Sequence, residues 1–346
     1  MLMLKDLKYL AAYINPALAV IGLWLGGVYA WATVIFSFVL IPILDQISPI
    51  DSNNHDEDTK QKLLSKRIFD WLLYLNIPVV YGTIGYFVYQ LNHTVMSTEV
   101  LTGHILSVGI VIGSCGINVA HELGHRKESF HQRMSQILLL PALYMHFFIE
   151  HNRGHHRFVA TKDDPATARK GDWLFVFWLR SLYGCYTKAW KLESERLQKK
   201  NISILSFHNQ MINFTLLQFV YLAAVFAYSS TSVLVIIMLT ALVGVLLLET
   251  INYTEHYGLL RGRRDNGRYE RVRPHHSWNA NYSFGRIALY ELTRHSDHHF
   301  IASKKFQVLD HHEDAPVLPF GYPAMILIAF IPPLWFHLMD KRIPIS

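Results

Sequence analysis

Residues 231–258 read TSVLVIIMLTALVGVLLLETINYTEHYG, and this stretch decides what kind of protein the chain encodes. From Thr231 to Leu248 it holds no charged residue, a run near the ~20 apolar residues that carry a helix across a bilayer. Within one further turn or two come Glu249, Glu255 and His256. A membrane helix that delivers a carboxylate and an imidazole at its end points to a polar site at the mouth of a helical bundle.

The rest of the chain repeats this arrangement. Apolar runs near 9–28, 30–48, 70–91, 100–120 and 212–229 join 231–250 to give six expected spans, and 51% of the 346 residues are hydrophobic. All 32 Lys and Arg fall within 1–8, 60–67, 126–200 and 261–342. The positive-inside rule therefore puts the N-terminus, the 49–69 loop, the 121–211 region and everything after 251 on the cytoplasmic side of the inner membrane. The two Lys ahead of the first run suit a retained signal-anchor, since no small-residue cleavage site follows. Runs 135–149 and 321–337 are short and interrupted by Pro141 and by Pro332-Pro333; they read as interfacial or packed helices. The net charge of +6 follows from this topology and does not call for nucleic acid. The expectation is an all-α membrane protein: transmembrane helices 1–4 in 1–120, a cytoplasmic helical region in 121–211, helices 5 and 6 in 212–250, and a cytoplasmic cap in 251–346. The acidic loop 50–63 reads as a mobile connection.

Nine histidines lie in four clusters at the cytoplasmic ends of these runs: His121 and His125; His151, His155 and His156; His256; and His295, His298 and His299. Neutral imidazole is the commonest protein metal ligand, and nine exceed what one ion can use. A two-metal centre is the economical reading. On an α-helix His121 and His125 share a face, as do His151 and His155, while His156 points about 100° further round. His295, His298 and His299 read as a single face by the same rule. Ligating imidazoles usually donate their other N–H to a carboxylate. Glu122, Glu150, Glu255 and Asp297 adjoin proposed ligands, and Asp163, Asp164 and Glu249 lie within reach.

Two other classes fit less well. His121-Glu-Leu-Gly-His125 matches the HExxH pattern of zinc proteases, with Glu122 as general base, but such a site needs one more ligand rather than seven. A histidine-rich metal transporter would scatter its imidazoles at mid-membrane depth. Zinc has no redox chemistry, whereas iron suits imidazole and can share the electrons that O₂ cleavage demands. A site opening onto hydrocarbon favours an apolar substrate. With Cys115 and Cys185 seventy residues apart, no CxxC motif exists for an iron–sulfur site.

The order HxxxH, HxxxHH, HYG, HxxHH resembles the membrane di-iron hydroxylase and desaturase superfamily. The strings around His121, Phe147–His156, Asn252–Arg261 and Arg294–His299 are similar to those of alkane 1-monooxygenases, as are Pro274–Asn279 and the Leu334–Arg342 region. The likeness covers the chain from about 100 onward; residues 1–95 match as a pattern of spans. It implies terminal hydroxylation of a medium-chain n-alkane to the primary alcohol, with O₂ and two electrons. It places two Fe ions on the nine cluster histidines, with no haem or flavin. Electrons would come from a separate rubredoxin and its NAD(P)H-dependent rubredoxin reductase, because two cysteines exclude a fused rubredoxin. Thr293 departs from the Gln more usual there. A related hydroxylase or desaturase acting on fatty acyl or aromatic-methyl substrates is the alternative. Trp24, Phe36 and Tyr81 are candidates to line an alkane channel, in which each CH₂ would gain ~0.8 kcal/mol on burial. His275 and His276 are candidates for a supporting or partner-facing role.

Overall fold

The structure, a computed structural model, describes residues 4–344. It is helical: the described residues form no β-strand, only three isolated bridges. Six helical segments are long and apolar enough to cross a membrane, at Asp6–Leu25, Gly27–Ile47, Ile68–His93, Thr98–Gly124, Gln210–Tyr228 and Thr231–His256. They coincide with the six expected runs, because a lipid-embedded backbone must satisfy its hydrogen bonds within the helix. The fourth and sixth overshoot the expected ends and carry His121 and His256 as helical residues.

The chain divides into two compact units. One comprises the chain up to Leu40 with Ile68–Ile149 and Ala189–Leu248; the other comprises Ile41–Arg67, Glu150–Lys188 and the chain from Glu249 onward.

In the first unit the fourth and sixth spans cross at glycines. A Cβ at Gly109 would stand 2.5 Å from Val243 Cγ1, and one at Gly244 would stand 2.8 Å from Ile112 Cγ2. Removing side chains lets two membrane helices approach where no hydrophobic force drives them together. The fourth span also loosens into a π-turn at Ile112–Ile117 just before its histidines. The short run after His125 is broken into a helix at Ser129–Leu139 and a single turn at Phe147–Glu150. Ser135 Oγ ties that helix back by donating to the Ala120 carbonyl at 2.6 Å.

In the second unit a buried aromatic core fixes the end of the sixth span. Tyr253, Tyr257, Trp278, Tyr322, Trp335, Met325 and Met339 pack together. Trp278 Nε1 donates to the Tyr257 carbonyl (2.9 Å), and Tyr253 Oη donates to the Asp172 carbonyl (2.7 Å). The helix stops after His256 because Gly258 adopts φ +74° and its missing Cβ leaves room for Ile343 Cδ1, a left-handed conformation that a side chain disfavours. The short run 321–337 splits into two helices, Tyr322–Ala329 and Pro332–Met339, each with proline in its first turn; neither has the length of a span.

The acidic loop is more ordered than its composition suggests. Asp56 caps a helix at Glu57–Leu64 by accepting from Thr59 N at 2.7 Å, a use of aspartate that the turn-rich composition conceals. Lys60 of this helix pairs with Asp310 at 2.9 Å. Asp45, at the end of the second span, accepts from the Phe284 and Gly285 amides, each at 3.0 Å. The 41–67 segment is thus bound to the histidine-bearing cap.

Candidate metal centre

The second histidine cluster is built on a π-turn, His151–His155, rather than an α-turn. The extra residue per turn changes which side chains share a face, and such insertions concentrate at functional sites. His151 and His156, five apart, bring their Nε2 atoms to 3.0 Å, while His155 is directed elsewhere. The α-helical reading that paired His151 with His155 is corrected by this local winding. Gly154 makes the turn possible: a Cβ there would lie 2.4 Å from Glu150 Oε1 and 3.1 Å from Lys188 Cε.

The third box is also divided rather than presented as one face. His298 Nε2 lies 3.1 Å from His156 Nε2. His295 and His299, one turn apart, instead join His155 and His256. In this second group each residue offers a ring nitrogen, all within 4.8 Å of one another, and all four residues are buried. His256 and His295 place their Nε2 atoms 3.2 Å apart.

These spacings suit a shared cation. His156 Nε2 faces both His151 Nε2 and His298 Nε2 at hydrogen-bond distance, yet a ring nitrogen has a single in-plane lone pair or a single proton. It cannot serve both neighbours. Two nitrogens about 2.1 Å from one ion and at right angles would stand about 3.0 Å apart. In the second group, the Nε2 of His155 and both ring nitrogens of His299 are buried without a hydrogen-bond partner. Burial, reinforced by neighbouring imidazoles, holds His299 well below its usual pKa, so it presents a neutral ring, the form a metal requires.

The carboxylates occupy different positions from one another. Asp164, buried, stands 2.9 Å from His155 Nδ1 and accepts from Thr167 Oγ1 at 2.6 Å. Burial pushes Asp164 up, but the His155 ring and Lys188 outweigh it and hold its pKa low. An ionised Asp164 fixes the proton of His155 on Nδ1 and leaves the Nε2 lone pair free. Glu150 lies 3.3 Å from Lys188 Nζ; burial and the Asp164 charge push its carboxyl up to about 7. Glu255 brings Oε2 to 3.0 Å from His295 Nε2, on the same side as the His256 ring rather than behind the imidazole. Asp297 is engaged outside the cluster imidazoles: it accepts from His312 Nε2 (2.7 Å), Lys304 Nζ (2.6 Å) and the Asp310 amide (2.7 Å). It anchors the backbone of the third box.

In the first unit His121 and His125 stand together at the end of the fourth span, ring centroids 4.9 Å apart. Glu122 is engaged by Arg126, whose Nη2 lies 2.6 Å away. Of the proposed channel residues, Trp24 is 72% exposed and lines no interior space, since its position on the first span looks outward. Tyr81 donates to the Ile137 carbonyl at 2.8 Å, and Phe36 is half-buried within a π-turn of the second span. His276 is buried and accepts from the Arg273 amide; burial pushes its pKa down to about 4. Sequence reasoning passed over Lys188 and Lys304. A lone cation outside a motif carries no periodic signal; only folding brings it to the carboxylate.

Comparison with known proteins agrees with this arrangement. The fatty acid desaturase family profile matches residues 99–329, a range that contains every cluster histidine. The chain is 38% identical over 333 residues to alkane 1-monooxygenase 1 of Alcanivorax borkumensis, covering 95% of this chain and 82% of that one. It is 37% identical over 345 residues to alkane 1-monooxygenase of Ectopseudomonas oleovorans (98% and 86% covered) and 38% over 334 residues to that of Pseudomonas putida (95% and 83%). With six helices long and apolar enough to cross a membrane and imidazoles gathered at buried positions, this multi-pass membrane protein belongs to the fatty acid desaturase family and, within it, groups with the alkane 1-monooxygenases.

Proposed function

We propose that this chain is an O₂-dependent monooxygenase that hydroxylates the terminal methyl of medium-chain n-alkanes, with two non-haem irons as its cofactor. The observation that carries the reading is the double approach of His156 Nε2 to His151 and His298, beside a second, wholly buried set of four imidazoles. His155, His256, His295 and His299 would hold one ion; His151, His156 and His298 would hold the other. His121 and His125 are assigned to the centre on the sequence resemblance. Bound irons would supply the redox capacity to reduce O₂ with two external electrons, one oxygen atom entering the alkane and the other leaving as water.

The chain's own contribution is orientation and charge. Imidazoles bring no charge to the centre, so buried carboxylates must supply it. Asp164 does so through His155, and Glu255 at the ligating face of His295. The flexible, featureless alkane offers nothing to hydrogen-bond, so it is held by burial of its methylenes, which discriminates chain length by only roughly 1–3 kcal/mol per CH₂. The electron donor in this reading is a separate rubredoxin with its NAD(P)H-dependent reductase, and the site faces the cytoplasm of a cell with the protein in its inner membrane.

Purified protein in a bilayer, given octane, xylene and a fatty acid with rubredoxin, its reductase and NAD(P)H, should convert octane to 1-octanol far faster than it oxidises the others. Faster oxidation of xylene or the fatty acid would move the assignment to the related hydroxylases.

A further inference from the structure

The second unit carries a charged cleft whose exposed residues the proposed reaction does not use. It has a volume of about 340 Å³ and is lined by Lys162, Arg169, Arg180, Lys188, Tyr183 and Asp163, among others. Arg180 and Lys188 are committed within the protein, Arg180 to Asp172 at 2.7 Å and Lys188 to Glu150 at 3.3 Å. Lys162 and Arg169 are exposed and form no ion pair among the described residues. Against them the cleft offers the exposed carboxylate of Asp163, since Asp164 is buried on His155.

An apolar surface flanks the cleft on the same helix. Phe175 (45% exposed), Val176 (60%), Leu179 (73%) and Tyr183 (76%) form one outward face of the segment that begins at Leu174. Arg180, Gly184 and Lys188 line the cleft from the adjoining face, with Tyr183 at the edge the two share, as 100° per residue requires. Phe330, from the proline-interrupted C-terminal pair of helices, packs edge-on against Phe175 at 6.2 Å, and Ile331 and Leu334 beside it are exposed. A contiguous exposed apolar face of this kind marks a contact with lipid or with a partner.

We propose that this cleft binds the phosphodiester headgroup of an anionic phospholipid, with the acyl chains laid along Phe175, Val176, Leu179 and Tyr183. The charge complementarity of Lys162 and Arg169 selects the headgroup, and the adjoining aromatic and aliphatic face supplies the place for hydrocarbon. A soluble acidic protein would satisfy the cations but leave four large apolar side chains facing water. Basic pockets beside membrane helices recognise acidic headgroups in this way, and amphipathic helices rich in aromatic residues lie in the interface. The site is independent of which substrate the enzyme oxidises.

The test uses the full-length, metal-loaded protein extracted from nanodiscs of phosphatidylcholine containing phosphatidylglycerol, with retained lipid measured by native mass spectrometry. The wild type should keep phosphatidylglycerol in preference to phosphatidylcholine. The double variant Lys162→Gln/Arg169→Gln should lose that preference by roughly 25-fold, about fivefold per cation near an acidic lipid. Leu179→Asn should weaken retention while leaving the headgroup preference. Unchanged iron content in the variants establishes that the fold is intact. If inorganic phosphate displaces the lipid as well as glycerophospholipid does, the acyl contacts are absent and the proposal fails. It fails equally if the double variant retains phosphatidylglycerol as the wild type does, or if its only defect is a raised KM for the protein electron donor.

Discussion

His155 Nδ1 and Asp164 Oδ2 lie 2.9 Å apart, both buried, nine residues from each other in the chain. The polar turn after the second box makes this contact. Thr167 Oγ1 donates to the same carboxylate oxygen, and Thr167 also takes a hydrogen bond from the Ala160 amide, which adopts φ +57°. The loop is therefore a folded support that holds one imidazole in one tautomer.

Replacing Asp164 with Asn keeps the shape and removes the charge. Partners behind a metal-bound histidine are worth 10–100-fold in metal affinity or activity, so Asp164→Asn should lower iron occupancy or turnover by about that factor. Iron per chain, measured beside octane turnover, checks it.

Gly154→Ala places a methyl group against Glu150 Oε1 and Lys188 Cε. Elsewhere alanine would strengthen a helix; here overpacking should cost roughly 1–3 kcal/mol. The thermal midpoint of the detergent-solubilised variant should fall, and iron should be lost with it. A variant as stable as the wild type would show that the π-turn has room to spare.

Gly109→Leu tests the crossing of the fourth and sixth spans. The added side chain cannot pass Val243 without moving a helix, and small residues are what permit such approaches. Expression of folded protein, judged by size-exclusion chromatography, should drop sharply, whereas Gly85→Leu, where nothing lies within 4 Å of a Cβ, should be tolerated.

Asp310 gives the pH dependence. Burial pushes its carboxyl up, but Lys304 and Lys60 outweigh that and lower it below the ordinary value of 3.8. A depressed carboxyl stabilises the fold above the unfolded value and loses that contribution as pH falls through the folded value. The stability gap between wild type and Asp310→Asn should be constant above about pH 5 and close below about pH 4. Thermal melts across that window check the sign; a gap that widens on acidification would contradict it.

Much of this was legible in the sequence, for physical reasons. Six lipid-facing runs announce themselves by length and absence of charge, and the structure has helices over all six. The motif histidines were legible because metal ligation needs residue types that are otherwise rare in clusters. Their partition was not legible. It depends on a π-turn at His151–His155 that no local preference for helix reveals. The support of Asp297 by His312 and Lys304 was hidden too, since both partners lie downstream in irregular chain. Which way an aromatic residue in a span faces was not legible either: Trp24 is exposed.

The claim on which the account turns is that the imidazoles hold a pair of irons. Elemental analysis of purified, active protein gives the most direct test, with Mössbauer spectra of ⁵⁷Fe-enriched samples to establish whether the ions interact. Active protein should hold two irons per chain, with His156→Ala and His299→Ala each losing metal. One ion per chain, or zinc in place of iron in the active enzyme, would contradict it.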